Sequence, residues 1–352
     1  MLKKSEIPTP ALLLDLDTFE FNLQLMAGRV KQSGKQLRPH AKAHKCVEIA
    51  RRQIAAGAIG VCVATIEEAE LMASAGISGL LLTSPLADPR KMARAAATGA
   101  MVVVDHAIQV EWYNAVARAA DRSLDVLVDL DVGDHRTGAA GLQQAVEIAQ
   151  AVDRASHLRM RGLQGYSVSG SHGASFEERM RISRAAFDTA VAVRDALKLR
   201  GIEHGILTGG STGTWDVDTQ LPEVTELQAG SYVLMDLAYG KLKLPFRNAL
   251  TVLATVVSAN HPGFVTVDAG FKAFSTDRGY GPEAPALSAA QYRWGGDEFG
   301  YLDSAAKPNL GNKIEFLPPH CDPTVNLYSR IYACRGEAVE AIWPVKSSAL
   351  PA

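Results

Sequence analysis

Residues 38–45 read Arg38-Pro39-His40-Ala41-Lys42-Ala43-His44-Lys45 and close the first of a series of short apolar runs. Those runs fall at 38–43, 59–64, 79–83, 101–105, 124–130, 160–166, 204–208 and 224–235, each followed by an Ala/Glu/Arg-rich segment. Before the first, Phe19, Leu23, Met26 and Val30 recur at steps of three and four. That spacing gathers apolar groups on one face and predicts an amphipathic helix over 19–31. Strands alternating with helices imply right-handed crossovers and a parallel sheet, and eight such strands suffice to close a ring. The expected fold is therefore α/β, a (β/α)8 barrel. Sites in such barrels form from the loops at the carboxyl ends of the strands, and the polar motifs of this chain follow its apolar runs. Beyond about residue 246 the texture changes to β-branched, alternating segments such as ALTVLATVVSAN, FVTVDAGFKAF and NKIEFLPP, separated by Gly, Pro and Asn. This predicts a C-terminal, mainly-β domain.

The 352 residues carry 47% hydrophobic and 21% charged side chains with a net charge of −2, a balance that fits a globular protein and gives no sign of polyanion binding. No stretch approaches the roughly 20 apolar residues of a spanning helix, and the start, MLKKSEIPTP, lacks the apolar core of a signal peptide. Cys46, Cys62, Cys321 and Cys334 show no CxxC spacing. A cytoplasmic protein with reduced thiols and no nucleic-acid or membrane partner is the expectation.

Four motifs carry chemistry. If residues 38–45 are extended, alternation throws Arg38, His40, Lys42 and His44 to one side, facing the barrel mouth. A lysine near other cations and partly desolvated gives up its proton more readily, and a neutral amine attacks an aldehyde to form a Schiff base. A lone lysine is more often solvated, and His40 and His44 as metal ligands would need a third group nearby. The second motif, Thr208-Gly209-Gly210-Ser211-Thr212-Gly213-Thr214, follows the seventh run. Glycines let the backbone approach an anion while amides and hydroxyls donate to it, so Gly209, Gly210, Ser211 and Thr212 form a candidate phosphate cradle, which Ser231 and Tyr232 can complete. The third, residues 129–138, places Arg136 after the fifth run, where a cation can tune a bound ring; a structural Arg–Asp pair is the plain alternative. In the fourth, Pro318-Pro319-His320-Cys321-Asp322-Pro323, extended backbone would aim His320 and Asp322 at one ion and Cys321 away from it. Imidazole with carboxylate favours Mn²⁺ or Mg²⁺ over a thiolate-held Zn²⁺.

RPHAKAHK, the DxGxxRTG loop, GGSTGT, LQAGSY, VDAGFKA and HCDPTVN, in that order, resemble the D-threonine aldolase, D-serine dehydratase and 3-hydroxy-D-aspartate aldolase group from about residue 8 to residue 345. The resemblance implies an alanine-racemase-like fold, with a barrel over 16–245 and a β domain of 246–352 joined by 1–15. It implies pyridoxal 5′-phosphate as cofactor, Lys42 as the Schiff-base lysine, phosphate at 209–212, a divalent metal at His320 and Asp322, and a homodimer whose site is completed across the interface. Many members of the group carry Glu-His-Gly before the metal motif, whereas this chain has Asp297-Glu298-Phe299-Gly300. His172, on the loop after the sixth run, is the candidate replacement, and Tyr166 is expected near the cofactor. The expected activity is metal-dependent retro-aldol cleavage of a 3-hydroxy D-amino acid to glycine and an aldehyde. Dehydration to keto acid and ammonia is the alternative. A metal-independent racemase is a further one, and a non-catalytic vitamin-B6-binding barrel lacks the β domain.

Overall fold

The computed structural model describes residues 2–287 and 289–346. The amphipathic spacing at the start becomes the helix Leu16–Gln32, with Phe19, Leu23, Met26 and Val30 all buried. Two compact units follow from the contacts, one of residues 1–25, 43–48 and 231–352, the other of 26–42 and 49–230.

The second of these is the α/β unit. Its eight parallel strands lie in the order Gln36–Leu37, Glu226–Leu227, Ile206–Gly209, Leu158–Gly165, Leu124–Asp129, Met101–Val104, Leu81–Leu82 and Cys62–Val63. A parallel bridge between His40 and Cys62 joins the two ends, closing the ring. Cys62, Leu81, Val103 and Leu127, all buried, pack as one apolar cluster against Met101 and Ile206. These runs are continuous in β-branched and aliphatic residues because both faces of a barrel strand are covered.

Four of the expected strands are much shorter than their runs, among them Cys62–Val63 of 59–64 and Leu81–Leu82 of 79–83. The first strand ends at Leu37, before the run 38–43, in which only His40 makes an isolated bridge and Ala41–Ala43 forms a 3-10 turn. Pro39 has no amide hydrogen to donate, although its carbonyl accepts from Cys62 N at 2.9 Å. The even-numbered basic row therefore does not share one side. The Arg38 guanidinium donates to both carboxylate oxygens of Glu226, at 3.1 and 3.0 Å, and also to the Gly79 carbonyl. His44 is fully buried in the other unit, where its Nδ1 accepts from Cys46 N at 3.1 Å. Likewise only Glu226–Leu227 of 224–235 is strand, and Ser231–Val233 is a 3-10 turn. Both members of the Arg38–Glu226 pair are buried. Arg38→Leu would strand the Glu226 charge, and thermal or urea unfolding should register a loss of about 3–5 kcal/mol.

The other unit is mainly β. Its sheet runs Gln291–Trp294, Gly300–Asp303, Phe264–Val267, Leu250–Ser258, Ala11–Asp15, Arg330–Arg335, Ala338–Pro344, with Lys313–Phe316 also paired to Leu250–Ser258. The N-terminal strand is thus central, antiparallel to Leu250–Ser258 and parallel to Arg330–Arg335. Ile7, Ala11, Leu13, Leu253, Tyr332, Cys334 and Val339 form its core cluster. Among the described residues no helix is long and apolar enough to cross a membrane. All four cysteines are free and buried.

Candidate active site

A cavity of about 370 Å³ opens among residues at the carboxyl ends of the barrel strands, and Lys42, Arg136 and Tyr166 all line it. Lys42 Nζ stands 5.9 Å from the centroid of the Tyr166 ring, and the Arg136 guanidinium lies 5.0 Å from the same centroid. Lys42 arrives there on the 3-10 turn rather than by strand alternation. Arg136 comes from the loop after Leu124–Asp129, whose other charges are engaged locally. Asp131 accepts from Gly133 N, His135 N and the His135 ring, and Asp134 caps Val168 and Ser169.

Thr83 and Gln164, which belong to none of the four motifs, also line the cavity together with His40 and Gln228. Gln164 donates to Asp129 Oδ1 at 2.8 Å and to the Thr83 carbonyl at 3.0 Å, while its own Oε1 accepts from Gln228 Nε2 at 3.1 Å. Burial lifts the Asp129 carboxyl to about 6, against hydrogen bonds from Gln164 and Thr137, with Asp105 adding to the rise and Arg136 opposing it. His40 Nε2 meets the Thr83 hydroxyl at 3.0 Å. The signal for these residues was their place: each is polar and stands at or just beyond the carboxyl end of an apolar run, where barrel sites form.

The glycine and hydroxyl loop begins beside the cavity, since Gln228, a lining residue, donates its amide to the Gly209 carbonyl at 2.8 Å. A Cβ built on Gly209 would lie 2.2 Å from the Gly165 carbonyl oxygen, so only glycine lets the two strands approach this closely. Gly209, Gly210, Ser211 and Thr212 are all buried, and Thr212 Oγ1 has no hydrogen-bond partner. A buried hydroxyl without a partner costs about 1–3 kcal/mol and is a donor awaiting an acceptor.

The remaining candidates are not among the residues that line the cavity. His172 ends the 3-10 turn Ser169–His172, half-buried, and does not line the cavity. Ser231 and Tyr232 belong to the mainly-β unit, where Ser231 Oγ donates to Asp322 Oδ1 at 3.2 Å and the buried Tyr232 ring packs 5.7 Å from Phe246. In the same unit His320 is extended, but Asp322 lies in the first turn of the helix Cys321–Val325, so alternation does not relate them. The buried Cys321 thiol accordingly points toward Asp322, donating to its Oδ1 at 3.2 Å, and not away from it. His320 Nδ1 pairs with Asp277 Oδ2 at 2.7 Å. Among the described residues no three His, Cys, Asp or Glu side chains are grouped as a metal cage. Phe299, in the segment where the resemblance led to the expectation of a histidine, is exposed just before Gly300–Asp303.

Comparison with known proteins agrees with this architecture. The family model "Alanine racemase, N-terminal domain" matches residues 14–237, and "Putative serine dehydratase domain" matches 249–334. A D-threonine aldolase of Arthrobacter sp. is 37% identical, over 97% of this chain and 93% of its own. A 3-hydroxy-D-aspartate aldolase of Paracoccus denitrificans is 34% identical, over 98% and 93% respectively. The crystal structure of D-threonine aldolase from Filomicrobium marinum superposes with a TM-score of 0.94 at 36% identity, covering 97% of this chain and 96% of that one. The chain belongs to the pyridoxal-phosphate-dependent, alanine-racemase-like family, within its D-threonine aldolase and 3-hydroxy-D-aspartate aldolase group of lyases.

Proposed function

We propose that this protein cleaves a 3-hydroxy D-amino acid by a retro-aldol reaction to glycine and an aldehyde, using pyridoxal phosphate on Lys42 and a divalent ion at His320 and Asp322. The observation that carries the proposal is Lys42 lining a polar barrel cavity beside a loop whose buried Thr212 hydroxyl lacks a partner. That pairing of an amine with an unspent anion donor fits a phosphorylated aldehyde. Whole-length likeness to D-threonine aldolase supports the retro-aldol reading.

When bound, the cofactor supplies an electron sink for the pair released as a bond to Cα breaks. The Lys42 amine holds the aldehyde carbon. Residues 209–212 would hold the phosphate, with the Thr212 hydroxyl as the unspent donor, and Ser231 and Tyr232 are assigned to the same task by resemblance alone. Arg136, stacked on Tyr166, keeps positive charge at the cavity. His172 does not line the cavity, so its assignment as the base that would take the proton from the substrate's 3-hydroxyl oxygen rests on its place on the loop after the sixth run alone. Asp277 on Nδ1 of His320 favours the tautomer whose Nε2 carries a lone pair, the usual arrangement of a metal-bound imidazole. An ion held there with Asp322 would polarise a hydroxyl.

Dehydration to keto acid and ammonia is the second reading, favoured by the serine-dehydratase model over 249–334. The test is aldehyde release from D-threonine and L-threonine in parallel. Acetaldehyde from the D isomer alone is expected. Interconversion of the two isomers without aldehyde would mean racemisation and would end the proposal.

A further inference from the structure

Asp218 closes the short helix Trp215–Asp218, directly after the glycine and hydroxyl loop, and is fully buried. Its Oδ2 accepts from the Thr214 hydroxyl at 2.5 Å. The Thr214 oxygen in turn accepts from Ser211 N at 3.0 Å and lies 3.2 Å from the Ser211 hydroxyl, whose oxygen accepts from Gly213 N at 3.1 Å. Asp218 N donates back to the Thr214 carbonyl at 2.8 Å. One carboxyl thus ends the hydroxyl chain that runs through Thr214 and Ser211.

The same carboxyl underlies Gly210. This glycine has φ +76°, and a Cβ built there would lie 2.3 Å from Asp218 Oδ2. The side chain of Asp218 occupies the space that any residue other than glycine would need. With Ser211 and Thr214 turned toward Asp218, Thr212 is left as the loop hydroxyl without an internal partner.

A charged carboxylate behind a phosphate would repel it, so the ionisation of Asp218 matters. Burial lifts this carboxyl to about 7, against hydrogen bonds from the Thr214 and Ser183 hydroxyls, and the charge of Asp216 raises it further. Arg179 answers Asp216 at 2.9 Å.

We propose that Asp218 is the positioning residue of the phosphate loop: it ties Ser211 and Thr214 down and fills the space under Gly210, so that the Thr212 hydroxyl remains available to an anion. This rests on the reading that residues 209–212 hold the cofactor's phosphate.

The test titrates the full-length protein with pyridoxal phosphate and with pyridoxal, which lacks the phosphate, following adduct absorbance for wild type, Thr212→Val, Asp218→Ala and Asp218→Asn. Asp218→Ala should weaken pyridoxal phosphate by about tenfold or more, the scale of one or two lost hydrogen bonds, and leave pyridoxal within about twofold. Asp218→Asn, which keeps the acceptor oxygen and the shape, should recover most of the loss. Equal weakening of both probes by Asp218→Ala, no weakening of either, or an Asn variant no better than Ala overturns the proposal. Should Asp218→Ala fail to fold by circular dichroism, Asp218→Glu replaces it: its extra methylene must displace Gly210, so selective loss of pyridoxal phosphate supports the proposal and wild-type behaviour overturns it. If Thr212→Val weakens pyridoxal phosphate selectively and the Asp218 variants do not, the Asp218 role alone fails. If wild type binds both probes equally and Thr212→Val changes nothing, the phosphate reading itself fails and takes this proposal with it.

Discussion

Lys42→Ala is expected to lower turnover by on the order of 10³-fold or more and to abolish the borohydride-reducible yellow adduct of the purified protein. The size follows from the role: without the amine there is no covalent anchor for the aldehyde and no group to exchange with the substrate. Lys42→Arg should fail as completely, because a guanidinium keeps its proton at any pH the protein tolerates. The neighbouring lysine provides the internal control. Lys45, three residues on, directs its ammonium to the Asn326 side-chain oxygen in the mainly-β unit, whereas Lys42 lines the barrel cavity beneath Arg136 and Tyr166. Peptide mapping after reduction should therefore recover the adduct at position 42, and recovery at position 45 would sink the assignment.

Chelation is expected to be nearly as severe. Dialysis against EDTA should remove almost all activity, and Mn²⁺ should restore more of it than Zn²⁺. The argument is the donor set. Asp322 offers carboxylate oxygen two residues after His320, and the one thiol nearby, Cys321, is buried and spends its hydrogen on that same carboxylate. Oxygen and imidazole donors suit a harder ion that polarises a hydroxyl without removing it, which leaves carbon–carbon cleavage as the easier path. Activity that survives EDTA would take the ion out of the account, and better rescue by Zn²⁺ would return the dehydratase reading to the front.

The barrel was legible because its strands are apolar on both faces and evenly interleaved with amphipathic segments, a pattern local enough to read from the chain. The helix Leu16–Gln32 was legible for the same reason, its buried face repeating at helical spacing. What misled was extending strand alternation past the ladder. Pro39 interrupts donation, the chain turns at Ala41–Ala43, and Arg38 and His44 end in different units. The same error treated His320 and Asp322 as one extended face, although a helix starts between them. Both motifs were found and both geometries were misjudged, since residue type is written in sequence while the local turn depends on partners far along the chain. Asp218 and Gln164 escaped altogether, and Gln228 was read only as part of the LQAGSY motif. Gln164 and Gln228 matter through hydrogen bonds to residues far along the chain and Asp218 through bonds within its own loop, and no periodicity marks a single buried polar side chain.

The most direct test of the retro-aldol reading is a nitrogen balance on D-threonine, with 3-hydroxy-D-aspartate and D-serine run alongside. Glycine, ammonia, aldehyde and keto acid are measured in the same reaction. The account predicts one glycine for each acetaldehyde from D-threonine, with little ammonia. Ammonia and keto acid as the main products, with little glycine, would contradict it.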